Sequence, residues 1–262
     1  MPLPKLACIC CTYARPRLLA ESVECFLRQD YPPDRCELIV LDDAGQYVSQ
    51  SHTTPKSWHL VSVARRFATL GEKRNASAAF ASADVDALVV WDDDDIYLPW
   101  ALRAHAAALE KAPWSRPSQV LVENQGAMRL KSRASNGLFH PAWAFTREAF
   151  RQVRGYPFMQ SGQDQGLARL FQQAALPTCD AIELGFSPFL FYRWGSSKSY
   201  HLSGMNAKEG YERLETRRHE GAPIERVEPQ WEQDYLGILP ESIGIDGRRS
   251  APSMTQSLAG ER

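Results

Sequence analysis

VVWDDDDIYLPW, residues 89–100, sets an apolar run directly against four consecutive carboxylates. Like charges crowded together repel, and a carboxylate taken out of water is costly unless it meets a cation or a metal. The residues leading in, DALVV, have the make-up of a buried strand, which puts Asp92, Asp93, Asp94 and Asp95 at a strand's carboxyl end. About fifty residues earlier CELIVLDDAG repeats the pattern and ends in Asp42-Asp43. In open α/β sheets, ligands lie outside the carboxyl ends of the strands. Carboxylates there collect hard divalent cations and hydroxyl or N–H donors, and Mg²⁺ or Mn²⁺ completes its shell with phosphate oxygens and water. The tetrad therefore reads as facing a divalent metal that carries a diphosphate. A solvated acidic loop capping the next helix is the plainer reading of an isolated acidic run; the second acidic strand end favours the ligand site.

The rest of the chain agrees with a layered α/β fold. KLACICCT reads as a first strand, and RPRLLAESVECFLRQ as a helix with Leu19, Val23, Phe26 and Leu27 at helical spacing and Pro16 in its first turn. HLVSVAR reads as a third strand, GEKRNASAAFASA as a small-residue helix able to pack closely on a sheet, and LPWALRAHAAALEKA as a helix opened by Pro99. Strand–helix alternation with apolar strands means a largely parallel sheet. After Pro113 the rhythm changes: SQVLVENQGAMRLKS reads as a hairpin, HPAWAFT as a strand, REAFRQV and QDQGLARLFQQAA as helices, and DAIEL and FLFYRW as final strands. Beyond about Gly204 the apolar periodicity fades, and the last residues have the composition of a disordered tail.

Composition excludes little else. The formal net charge of −1 gives no sign of a nucleic-acid or anionic-membrane partner. No apolar run approaches the ~20 residues that span a bilayer, and MPLPKLACICCTY lacks the shape of a signal peptide. CICC has no second Cys/His pair at zinc spacing, so the six cysteines read as small buried hydrophobes in a reducing compartment, with cytoplasm as the default. His52, His59 and His105 need no more than ordinary surface or core roles.

The order CTYARP, VLDDAG, GEKRNAS, WDDDDIYLP, RGYP…SGQDQGLARL and YRW resembles the family-two glycosyltransferases of GT-A fold, over roughly residues 5–201. The resemblance implies a Rossmann-like, mixed but mostly parallel sheet flanked by helices. It implies a catalytic domain over 1–203, its nucleotide-sugar part about 1–115 and its acceptor part about 116–203, with 204–262 a partly disordered C-terminal extension. By resemblance Thr12, Tyr13, Arg15, Asp42, Asp43, Arg74 and Asp92 bind the donor nucleotide, with Asn75 beside Arg74, and Asp94 holds Mn²⁺ or Mg²⁺ with His201 as a further ligand. Asp93 is expected to point away by strand alternation. Asp164 falls on the general-base position of an inverting transfer, with Gln163 where the family usually has Glu; Gln163 and Trp194 are acceptor or sugar contacts. Gly155–Pro157 takes the place of the family's Gly-Gly-Phe turn. Arg193-Trp194 lacks the Gln of the processive synthases, so transfer of a single sugar is expected, from a UDP-sugar as the commonest donor. The acceptor is any hydroxyl-bearing saccharide, lipid-linked saccharide, protein or other molecule, with membrane contact only peripheral, through a partner or acceptor. A sugar-phosphate nucleotidyltransferase is the second enzyme reading, although CTYARPR lacks a Gly-rich phosphate loop. A non-catalytic nucleotide-sugar binder is the third, although it would need no base at Asp164.

Overall fold

Strand β1 (Leu6–Thr12) is apolar on both faces: Leu6, Cys8 and Cys10 enter one core and Ala7 and Ile9 another. Only a central strand between two layers can bury both faces. In the computed structural model, which describes residues 2–124, 127–132, 139–193, 226–244 and 246–248 (backbone alone for 123–124 and 127–132), β1 lies between β2 (Cys36–Asp42) and β5 (Ala87–Val90), parallel to both. Two further strands, β3 (Gln50–His52) and β4 (Ser57–Ser62), extend that side, with β4 parallel to β2 and β3 antiparallel at the edge. A short β6 (Ile96–Tyr97) follows the acidic tetrad, then β7 (Trp114–Ser115), β8 (Gln119–Asn124), β9 (Ala127–Ser132), β10 (Ala144–Thr146), β11 (Thr178–Cys179) and β12 (Leu190–Tyr192). They form an eight-stranded sheet ordered β11-β7-β10-β5-β1-β2-β4-β3 and a four-stranded sheet ordered β6-β12-β8-β9. Because β1, β2 and β5 are parallel, Thr12, Asp42-Asp43 and the tetrad all emerge at one edge of the sheet.

The helices follow the expected signals. α1 (Pro16–Leu27) starts on Pro16 and buries Leu19, Val23 and Phe26, each worth about 1.5–3 kcal/mol of transfer free energy. In α2 (Leu70–Ala79) Thr69 caps the Glu72 amide at 3.1 Å, and Ser77 and Ala78 are small enough to let it pack closely. α3 (Ala101–Leu109), α4 (Arg147–Gln152) and α5 (Gln163–Gln173) complete the set. All six cysteines are free thiols, and Cys8 and Cys10 are fully buried, as a hydrophobe reading requires. No helix among the described residues is long and apolar enough to cross a membrane.

Besides the short strands β3, β6 and β7, which the sequence reading did not include, two features differ from it. DAIEL is not a strand. Asp180 Oδ1 accepts from the Ile182 amide at 2.8 Å and Oδ2 from the Ser118 amide at 3.2 Å, so its side chain folds the segment into a turn and the strand comes earlier, at β11. The stretch 226–248 also has more structure than its composition suggests: Val227, Tyr235 and Ile243 are buried in the core that holds Leu19 and Val23. Trp231 donates Nε1–H to Cys25 Sγ at 3.2 Å, and the Arg28 guanidinium lies 4.2 Å from its ring centroid.

His105, buried on α3, bonds Ser115 Oγ through Nδ1 at 2.9 Å and meets the Phe189 ring edge-on. Burial pushes its pKa down to about 3. The unfolded chain takes up this proton near pH 6.5 and the folded chain does not, so the stabilisation is complete above pH 6.5 and is lost as pH falls toward 3. Denaturant titrations are expected to show about 2 kcal/mol lost through this group between pH 6.5 and 5. His105→Gln is expected to flatten that slope.

Candidate active site

The strand ends open into a cleft of about 610 Å³ whose walls include Thr12, Tyr13, Arg15, Asp43, Arg74, Asp92, Asp93, Asp94, Gln163 and Asp164. The structure thus gathers most of the expected residues around one space. Asp42 is the exception: fully buried, it accepts from the Ala44 and Gln46 amides at 3.0 and 3.2 Å and from Ser62 Oγ at 2.8 Å, and so builds the turn after β2. His201 and Trp194 lie outside the described residues.

The tetrad meets cations and protein donors throughout. Arg15 donates Nη1–H to Asp94 Oδ2 at 2.8 Å and Nη2–H to Asp93 Oδ1. Thr12 Oγ1 donates to Asp93 Oδ2 at 2.6 Å. Asp93 therefore faces Arg15 and Thr12 rather than away, because the strand stops at Val90 and a turn, not pleat alternation, sets its direction. Burial is the main force that pushes the Asp93 carboxyl up to about 6; Arg15 pulls it down, and the charges of Asp94 and Asp92 add to the rise. Arg74 Nη2–H reaches Asp92 Oδ1 at 2.8 Å. The tetrad backbone is tied as well, with the Asp92 amide donating to Tyr97 Oη at 2.7 Å and Ser22 Oγ donating to the Asp92 carbonyl at 3.3 Å.

One oxygen each of Asp92, Asp94 and Asp95 lies within 4.8 Å of the others. Three carboxylate oxygens this close are a hard donor set of the kind that Mg²⁺ or Mn²⁺ takes. Beside them Arg74 is only 5% exposed, and its Nε and Nη1 have no hydrogen-bond partner among the described residues. Buried guanidinium donors left unpaired are costly, and a phosphate oxygen is their natural acceptor. Burial opposes the charge on Arg74, but Asp92 and then Tyr156 outweigh it, so its pKa stands above the ordinary value.

Among the cleft residues that sequence reasoning missed are Lys73, Arg66, His140 and Tyr192. Lys73, one residue before Arg74, is buried and donates Nζ–H to Asp43 Oδ1 and to the Thr12 carbonyl, both at 2.5 Å, joining the ends of β1 and β2. A lysine in a small-residue helix that packs on a sheet was the signal. Arg66 stacks on Tyr13 at 3.8 Å from the ring centroid. His140 bonds Tyr156 Oη through Nε2 at 2.9 Å; burial and then Arg74 hold its pKa well below the ordinary value, so it faces the cleft neutral. Tyr192 also lines the cleft. Burial raises its pKa first, and the charges of Asp95, Asp92, Asp94 and Asp164 raise it further, so one phenol is within electrostatic reach of both the tetrad and α5.

Asp164 sits in the first turn of α5, where Gly162, at φ +72°, takes the N-cap position that a side chain would have to strain to adopt. The loop before it is clamped. Asn75 Nδ2–H donates to the Tyr156 carbonyl and Asn75 Oδ1 accepts from the Tyr156 amide, each at 2.8 Å. Asn75 thus holds the Gly155–Pro157 turn rather than the donor side. Pro157 is seated between α2 and α5, where a Cβ on Gly71 would stand 1.9 Å from its carbonyl oxygen and one on Gly166 2.5 Å from its Cγ. Asn75→Ala leaves both Tyr156 backbone groups without these bonds. It is expected to cost about 2 kcal/mol or more by urea denaturation and to speed proteolysis between residues 154 and 162.

The description "Glycosyl transferase family 2" matches residues 7–162, more than half of the chain. The chain belongs to glycosyl transferase family 2. No curated protein matches it. Among solved structures, S. aureus TarS 1–349 in complex with UDP-GlcNAc aligns with a TM-score of 0.57 at 15% identity, over 84% of this chain and 68% of that one. Without that ligand TarS 1–349 aligns at 0.55 and 13%, over 80% and 63%. The mannosyltransferase PcManGT from Pyrobaculum calidifontis, in complex with GDP-Man and Mn²⁺, aligns at 0.55 and 17%, over 84% and 65%. At these identities the likeness is one of fold, the mixed α/β GT-A arrangement, and this family-2 chain spans 63–68% of TarS 1–349 and 65% of PcManGT.

Proposed function

We propose that this family-2 chain is a metal-dependent, inverting glycosyltransferase that moves one sugar from a nucleotide-sugar, a UDP-sugar in the first instance, to a hydroxyl acceptor. The observation that carries the reading is that Asp164 borders the same cleft as Asp92 and Asp94, two of the three clustered carboxylates, and that Arg74 beside them has donors with no partner among the described residues. Two fold neighbours captured with nucleoside-diphosphate sugars, one of them with Mn²⁺, support the donor class.

In this reading Asp92, Asp94 and Asp95 hold the divalent ion, which when bound offsets negative charge on the departing diphosphate. Arg74 donates to the diphosphate through Nε and Nη1. Tyr13, stacked under Arg66, and Asp43, held by Lys73, shape the nucleoside end. Asp164 takes the proton of the acceptor hydroxyl as its oxygen forms a bond to the anomeric carbon. The bond from that carbon to the diphosphate oxygen breaks on the opposite face, its electron pair leaves with the nucleoside diphosphate, and the anomeric configuration inverts. Arg15, held by Asp93 and Asp94, balances the tetrad's charge. Gln163, 6% exposed beside Asp164, orients the acceptor side.

The test is a panel of nucleotide-sugars with and without Mn²⁺, read by thermal shift and by nucleoside diphosphate release. UDP-sugars that raise the Tm and release UDP only with the metal would support the proposal. Nucleotide-sugar binding with no release under any condition would favour the non-catalytic binder, and release of pyrophosphate from a nucleoside triphosphate would favour the nucleotidyltransferase.

A further inference from the structure

A buried ion pair lies directly beneath the metal-binding candidate, and the C-terminal segment closes it. Arg193, 2% exposed at the end of β12, donates its backbone N–H to Asp95 Oδ1 at 3.0 Å and its Nε–H to the Asp94 carbonyl. Its Nη1–H donates to Glu21 Oε2 on α1 at 2.6 Å. Glu21, 1% exposed, accepts at Oε1 from Tyr235 Oη at 2.6 Å and from the Glu232 amide at 3.1 Å. Arg193 Nη1 also points at Tyr235 Oη, at 3.4 Å. The connection thus runs from residues 232–235, through Glu21 and Arg193, to the residues that carry two of the three clustered carboxylates.

A buried charge pair is a poor way to gain stability, because desolvation consumes most of the attraction, and it is best explained where geometry must be held. Here Arg193 holds Asp95 through its backbone N–H and the Asp94 carbonyl through Nε–H, and Glu21 fixes the guanidinium's direction. Tyr235 and the Glu232 amide occupy the Glu21 oxygen that Arg193 Nη1 leaves. We propose that residues 226–236 form a strap whose Tyr235 is a positioning residue for the metal site, acting through Glu21 and Arg193 on Asp94 and Asp95. This rests on the proposed function, since it assumes that the carboxylate cluster takes a divalent ion. Tyr235 and Glu21 touch neither substrate nor metal. They preset the carboxylate spacing through Arg193; partners bonded directly to metal ligands, as Arg193 is, typically change affinity by about 10–100-fold, and groups acting through it are expected at the low end of that range.

The experiment titrates Mn²⁺ into the full chain with UDP present, follows the free Mn²⁺ signal by electron paramagnetic resonance, and records the Tm of each variant. Tyr235→Phe keeps the ring in its core and removes only the hydroxyl; Glu21→Gln keeps the shape and removes the charge. Val227→Ala, in the same segment but outside the relay, controls for loosened packing. The expected result is about tenfold weaker Mn²⁺ binding in Tyr235→Phe, at least as much in Glu21→Gln, and a lowered Tm with unchanged Mn²⁺ affinity in Val227→Ala. Wild-type affinity in Tyr235→Phe and Glu21→Gln would overturn the strap and leave the metal site standing. So would a loss in Val227→Ala as large as that in Tyr235→Phe. A wild-type chain that binds no Mn²⁺ would overturn the metal reading itself.

Discussion

Asp94→Ala is expected to lower Mn²⁺-dependent UDP release from a UDP-sugar by about 10³-fold or more while the chain stays folded. Asp94 supplies one of three carboxylates whose oxygens lie within 4.8 Å. Losing one leaves two ligands that are still crowded by Asp93, so the ion loses a strong contact at the point where charge develops. The fold loses less. Arg15 gives up its bond to Asp94 Oδ2 but keeps Asp93, and one like charge leaves a tetrad that repels itself. A thermal midpoint close to wild type, with UDP release gone at every Mn²⁺ concentration, is the expected pair of results. Release at the wild-type rate would end the assignment of the metal to this rim.

Asp164→Asn is expected to lower kcat for transfer by about 10²–10⁴-fold and to leave donor and Mn²⁺ affinity within a few-fold of wild type. An amide can still hydrogen-bond the acceptor hydroxyl but cannot take its proton. Asp164 lies in the first turn of α5, and Gly162, not Asp164, holds the N-cap position, so the cost to the helix is limited to the loss of a favourable charge–dipole contact, about 0.3–1 kcal/mol. Single-turnover transfer and isothermal titration with UDP and Mn²⁺ separate the two effects. An equal fall in transfer and donor affinity would show that Asp164 shapes the donor site and is not the base.

Much of this architecture was legible from local signals. The apolar runs 6–12, 36–42 and 87–90 are strands because both faces are buried, and the acidic residues after two of them marked the edge that opens into the cleft. DAIEL misled because a single Asp side chain, accepting from amides two residues on and across the chain, outweighed a strand-like composition. Asp42 and Asp43 look alike in sequence and differ in fate. The first closes its own turn and the second faces the cleft with Lys73, a distinction made by the turn after β2.

Residue order alone was enough to establish the largely parallel sheet and the edge at which its acidic strand ends emerge, since side-chain period and strand-end chemistry are properties of short stretches. Pairing across the chain was beyond its reach. Which cation meets which carboxylate, the turning of Asp93 toward Arg15, and the return of Tyr235 to Glu21, 214 residues away, and of Glu21 to Arg193, 172 residues on, came from the fold. The physical reason is that buried charges must be matched within about 3 Å, and only the packing of separate elements brings partners that close.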